Sequence, residues 1–151
     1  TKAPPVTASQ PADAFDHNAP ILNPSGPAVL IVEDNPVNQR LALLMLRRCG
    51  FEPRVASNGR EALDALVESP ADIILMDCQM SDVDGYEATR RIRANPSTYG
   101  KPYIIAFTAH ALAGDEAACR AAGMDDYLAK PVRLPALQDA IARARNALAN
   151  T

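Results

Sequence analysis

The stretch that decides the fold is Ile73-Ile74-Leu75-Met76-Asp77, four consecutive apolar residues that stop at one carboxylate. Pro70 precedes it and the polar, acidic stretch from Gln79 to Gly85 follows, so the run reads as a short strand buried on both faces. Asp77 then sits at its carboxyl end.

Working outward, short apolar runs recur at Ala28 to Val32, Phe51 to Ala56, Asp72 to Met76, Tyr103 to Phe107 and Asp126 to Ala129. Five amphipathic helical patterns lie between them and after the last. This alternation predicts an α/β fold with a doubly wound, five-stranded parallel sheet. The helix starts are legible. Asn35-Pro36 is an N-cap followed by proline, and Asn58 with Glu61 and Asp84 with Glu87 have the capping spacing. Gly123 can close the fourth helix, and Leu134, Leu137, Ile141, Ala144 and Leu148 stripe the fifth. Pro53 cannot donate to a ladder, so the second strand belongs at an edge, as in the order 2-1-3-4-5.

The chain's 151 residues, 48% hydrophobic and 22% charged, suffice for one core. Residues 28 to 148 are expected to form it, with 149 to 151 as a tail. Residues 1 to 27 carry six of the thirteen prolines and no apolar period, the composition of a linker. The initial Thr1 suggests a piece of a longer protein. A net charge of -3 and pI near 5.3 give no basic face for nucleic acid. Cys49, Cys78 and Cys119 form no CxxC pair, which favours reduced, cytoplasmic thiols, and Cys78 reads as a small buried hydrophobe. No apolar run is long enough for this fragment to insert in a membrane, although the parent chain could still be anchored in one.

On this frame Glu33, Asp34, Asp77, Thr108 and Lys130 all fall along the carboxyl edge of the sheet, where open parallel sheets bind ligands. Clustered carboxylates call for a cation, and an all-oxygen set suits Mg2+ better than zinc. With a lysine and a hydroxyl nearby, these are the parts for phosphoryl transfer onto Asp77, giving an aspartyl phosphate.

The chain resembles the receiver domains of two-component response regulators and hybrid sensor histidine kinases, whose fold is flavodoxin-like. The matching stretches are Val32-Glu33-Asp34-Asn35-Pro36-Val37-Asn38, Asp77-Cys78-Gln79-Met80 with Asp84-Gly85, Thr108-Ala109, and Gly123-Met124-Asp125-Asp126-Tyr127-Leu128-Ala129-Lys130-Pro131. The resemblance implies that Asp77 is the phosphoacceptor. It implies that Asp34 and Asp77 ligate Mg2+ directly, with Glu33 acting through water and the Gln79 backbone carbonyl completing the set. Lys130 and Thr108 would contact the phosphoryl group, Thr108 and Tyr127 would be the switch, and the Lys130-Pro131 bond would be cis. Ser81 departs from the proline usual in the family.

The function expected is that of a phosphoacceptor in a His-Asp phosphorelay. This fragment would not be an enzyme in its own right, although it promotes its own phosphorylation and dephosphorylation. It would be part of a hybrid sensor histidine kinase, with a histidine kinase or histidine phosphotransfer domain as partner. An Asp-nucleophile phosphatase is disfavoured, because the position two beyond Asp77 is Gln79 and not aspartate. An interaction module that binds and restrains another regulated protein is the alternative. His17 reads as a solvated linker residue and His110 as a loop histidine that could flank the site.

The first helix carries six apolar residues in a row, Leu41 to Leu46. At about 100° per residue, Val37, Leu41, Leu44 and Met45 fall on one side and Gln39, Leu43 and Leu46 on the other. The first strip is expected to face the core. The second is expected either to pack on the fifth helix or to dock a partner.

Overall fold

The computed structural model describes residues 27–80, 83–109 and 113–150. The expected linker apart from Pro27, and Ser81, His17 and His110, lie outside the described residues. The elements are β1 (Val29–Val32), α1 (Pro36–Arg48), β2 (Arg54–Ala56), α2 (Gly59–Glu68), β3 (Ile73–Asp77), α3 (Gly85–Ala94), α4 (Pro96–Tyr99), β4 (Tyr103–Thr108), α5 (Ala113–Ala122), β5 (Asp126–Ala129) and α6 (Leu134–Ala149). All strand pairs are parallel and the order is β2-β1-β3-β4-β5. No described helix is long and apolar enough to cross a membrane.

Two cores follow from the pleat, because successive strand residues point to opposite faces. Leu30, Val32, Ile74, Met76, Ile104 and Ala106 pack with α2, α3 and α5. Val29, Ile31, Ile73, Leu75, Ile105 and Phe107 pack with α1 and α6. The three inner strands are thus covered on both faces.

All three expected caps form. Asn35 accepts from the Val37 and Asn38 N–H groups, Asn58 from Glu61 N–H and Asp84 from Glu87 N–H. At the other end of α1, Gly50 has a positive φ of 96°. Its N–H bonds the Arg47 carbonyl and the Phe51 N–H bonds the Leu46 carbonyl. This paired closure delivers Phe51 into the α1/α6 core. Strand β2 is shorter than expected, beginning at Arg54 after Pro53 and forming the sheet edge. A one-turn helix that the periodicity did not foretell, α4, starts at Pro96.

The expected faces of α1 hold only in part: Met45 of the first strip packs against the α1/α6 core, but the rest of the division shifts. Leu46 is fully buried and Leu43 packs against the same core, whereas Val37 and Leu41 are 75% and 40% exposed. Gln39 turns inward, its Nε2 donating to the Glu33 carbonyl at 2.6 Å and to Ser57 Oγ at 3.2 Å. With Leu46 fully buried and Gln39 turned inward, the Gln39, Leu43, Leu46 strip is not an open apolar surface. It is the line by which α1 is seated on the sheet.

The loop after β3 is gripped from two sides. A Cβ on Gly85 would overlap the Asp77 carbonyl oxygen, and one on Gly59 would overlap that of Val83. Neither neighbour is a flexible side-chain tip, so neither can step aside cheaply. Gly85→Ala is expected to lower unfolding stability by about 2 kcal/mol, as overpacking does. A urea titration would read this as a lower midpoint at constant slope, and an unchanged midpoint would show that the start of α3 moves freely.

Candidate functional site

Each acid is delivered by a strand end. Glu33 and Asp34 follow β1, Asp77 closes β3, and the pairing of β1 with β3 aligns Val32 with Met76, so the residues after each meet above the sheet. One carboxylate oxygen each from Glu33, Asp34 and Asp77 fall within 4.8 Å of one another. Glu33 and Asp77 are buried and Asp34 is exposed.

Lys130, just beyond β5, supplies the counter-charge. Its Nζ lies 2.9 Å from Glu33 Oε1 and 3.2 Å from Asp77 Oδ1. The peptide bond to Pro131 is cis, as expected. The Lys130 N–H donates to the Thr108 carbonyl, which ties the lysine's backbone to the end of β4. Thr108 is buried at that strand end, next to the Phe107 carbonyl that accepts from Cys78 N–H. Gln79 is exposed and its N–H bonds Asp77 Oδ1 at 3.1 Å. Tyr127 is half-buried, paired in register with Ala106, and packs on the α3/α5 side of the sheet.

The electrostatics are those of a site with too many negative charges. Burial foremost, and Glu33 beside it, push the Asp77 carboxyl up to about 6 against the opposing pull of the Gln79 N–H and Lys130. Burial disfavours the Lys130 ammonium, yet the adjoining Glu33 and Asp77 outweigh this and hold its pKa above the ordinary lysine value. One acid oxygen is poorly served. Glu33 Oε2 accepts from Asn35 N–H, but Oε1 has no aligned hydrogen bond among the described residues, although it is buried. The lysine is close enough for an ion pair and off the hydrogen-bond direction.

That orphaned oxygen, in an all-carboxylate set, fits a hard divalent cation of the Mg2+ kind. Among the described residues, no softer nitrogen or sulfur donor belongs to the cluster. Sequence reasoning placed Glu33, Asp34, Asp77, Thr108 and Lys130 on one edge, and the structure brings them together. It missed Gln39, which braces the Glu33 backbone from α1. It also missed Cys119, whose sulfur lies 3.6 Å from that of Cys78. The partner of a residue 41 positions away leaves no periodic signal.

Comparison with known proteins gives the same frame. The response regulator receiver domain profile matches residues 29–142. The chain belongs to that family. The sensor histidine kinase GacS of Pseudomonas protegens is 42% identical over 113 residues, covering 74% of this chain and 12% of the kinase. This chain therefore spans about an eighth of that relative. The receiver domain of sensor histidine kinase PA1611 from Pseudomonas aeruginosa, solved with a magnesium ion in its active-site cleft, is 43% identical. That match covers 81% of this chain and 99% of that one, with a TM-score of 0.73. The receiver domain of Saccharomyces cerevisiae Ssk1, solved with the histidine phosphotransfer protein Ypd1, is 32% identical. It matches 80% of this chain and 91% of that one, also at 0.73.

Asp77→Asn tests the charge balance. Because the folded pKa of Asp77 is about 6, above the ordinary aspartate value of about 3.8, the native state holds a proton that the unfolded chain has lost between these pH values. Wild-type stability from this group falls as pH rises from about 4 to about 6 and is level above. In cation-free buffer the Asn variant is expected to be the more stable by on the order of 2 kcal/mol at pH 7.5. Its advantage should vanish near pH 4. Thermal melts across this range check it, and a gap that is constant with pH would contradict the assignment.

Proposed function

We propose that this domain accepts a phosphoryl group on Asp77 within a His-Asp phosphorelay, as part of a hybrid sensor histidine kinase. The observation that carries the reading is the convergence of three carboxylates within 4.8 Å under one lysine that touches two of them. Glu33, Asp34 and Asp77, with the Gln79 backbone carbonyl, would hold Mg2+, Glu33 acting through water. Bound there, the cation supplies neutralisation of phosphoryl oxygens.

The chain's own residues do the rest. Asp77 provides the nucleophilic oxygen, and its carboxylate is aimed by the Gln79 N–H. An oxygen–phosphorus bond forms as the bond from phosphorus to the donor's imidazole nitrogen breaks, the electron pair leaving with the imidazole. Lys130 holds its ammonium where transferred phosphoryl charge would arrive. Thr108 at the end of β4 would bond a phosphoryl oxygen, and Tyr127, on the neighbouring strand, would follow as the switch.

The partner would be a histidine kinase or a helical histidine phosphotransfer domain. Among the described residues, the exposed large apolar side chains on α1, the helix that follows Glu33 and Asp34, are Val37 and Leu41. Beside them a small cavity opens between Leu41, Phe107, Pro131 and Val132, next to Glu33 and Lys130. A helix bearing phosphohistidine could cover this apolar ground while presenting its ring to Asp77.

Two measurements test these statements. With acetyl phosphate and Mg2+, intact-mass spectrometry is expected to show one phosphoryl adduct, absent in Asp77→Asn and in chelator. Equal labelling of the variant would exclude Asp77. Val37→Glu with Leu41→Glu is expected to leave labelling by acetyl phosphate unchanged but slow transfer from a phosphotransfer domain at least about tenfold, the loss of roughly 1.4 kcal/mol. Unaltered transfer would remove this face from the docking surface.

A further inference from the structure

We propose that Cys78 and Cys119 form a reversible, peroxide-oxidised thiol pair whose disulfide clamps α5 to the start of the loop that follows Asp77. Both are free and buried, and their sulfurs lie 3.6 Å apart. A closure of about 1.5 Å brings them to disulfide length. Cys78 directly follows Asp77, its N–H fixed to the Phe107 carbonyl and its carbonyl to Gly85 N–H. Cys119 lies on α5, the helix that follows β4 and Thr108. The bond would therefore join the residue next to the phosphoacceptor to the layer against which Tyr127 packs.

Oxidant access to the buried pair requires one side chain to move. A groove of about 400 Å³ between α3 and α5 is lined by Asp84, Tyr86, Arg90, Ala118, Ala121 and Ala122. Tyr86, which lines this groove, has its hydroxyl 4.0 Å from Cys119 Sγ. Neither cysteine lines the groove, so a movement of Tyr86 is what would admit hydrogen peroxide to the adjacent Cys119.

The Cys119 thiol attacks one peroxide oxygen and gives up its proton in the step. An S–O bond forms, the O–O bond breaks, and the departing hydroxide takes up the thiol's proton as water. The Cys78 sulfur then attacks the sulfenic sulfur. The S–S bond forms, the S–O bond breaks, and a second water leaves with the Cys78 proton. The two sulfurs together lose two electrons to the peroxide, and a dithiol reverses the step by exchange.

The effect on phosphorylation rests on Asp77 being the acceptor, whereas the cross-link does not. The experiment uses the chain with Cys49→Ser, which removes the third thiol, half-buried on the opposite side of the sheet. After hydrogen peroxide treatment, the intact mass is expected to fall by two hydrogens. Both free thiols are lost, and an unreduced digest contains a Cys78–Cys119 peptide. Amide exchange slows from Glu116 to Ala122, and dithiothreitol reverses every change. Cys119→Ser, with Cys119→Ala as the second variant, abolishes the cross-link. Labelling by acetyl phosphate is expected to slow several-fold in the oxidised form. Thiols that stay free, or oxygen atoms gained without a cross-link, overturn the proposal. A cross-link with unchanged exchange and labelling overturns the clamp. A cross-link with Asp77 unlabelled in both redox states would support the thiol pair and overturn Asp77 as the phosphoacceptor.

Discussion

Two buried carboxylates and a third exposed one share a site with a single ammonium, and the rest of the structure serves to hold that imbalance. Like charges about 5 Å apart repel by about 3 kcal/mol at an effective dielectric near 20. Left to themselves, Glu33 and Asp77 would separate or leave the interior. They are kept together because β1 and β3 are neighbours, each covered on both faces by apolar layers. Moving either acid means shifting a strand whose residues are almost wholly buried. Lys130 offsets part of the repulsion, and the elevated Asp77 pKa reflects burial first and the neighbouring Glu33 second.

Much of this was legible because it depends on one rule of geometry. In a parallel sheet every strand delivers its last residue to the same edge, so five runs of apolar residues place Glu33, Asp34, Asp77, Thr108 and Lys130 together whatever their spacing in the chain. The caps were legible for a similar reason: Asn35, Asn58 and Asp84 satisfy local N–H groups, and their partners lie two or three residues away. Pro53 marked the edge strand because its nitrogen has no proton to donate.

What was not legible depends on contacts between distant segments. The phase of α1 could not be taken from six consecutive apolar residues, since both arcs carry leucines. Gln39 misled further, because a polar side chain reads as outward unless its partners, the Glu33 carbonyl and Ser57 hydroxyl, are known. Helix α4 shows the opposite failure. Asn95-Pro96 repeats the Asn35-Pro36 signal, yet Asn95 makes no side-chain cap and the helix ends after one turn at Gly100, whose φ is positive. A start signal without an amphipathic run behind it yields no more than a turn.

The pleat also decides what the site can be connected to. Met76 and Cys78 point toward α2, α3 and α5, while Leu75 and Phe107 point toward α1 and α6. The exposed Val37 and Leu41, the cavity by Pro131 and the seat of α1 belong to one side of the sheet. Tyr127, Tyr86 and the two facing thiols belong to the other. Between these layers stand strands with almost no exposed side chain and few means of yielding. Events on one side therefore reach the other most directly around the carboxyl edge, where Asp77, Thr108 and Lys130 meet loops and not packed strand. A docking contact with α1 and a displacement of α5 would act through the same few residues, which explains how one carboxylate could be addressed from one face of the sheet and read from the opposite one.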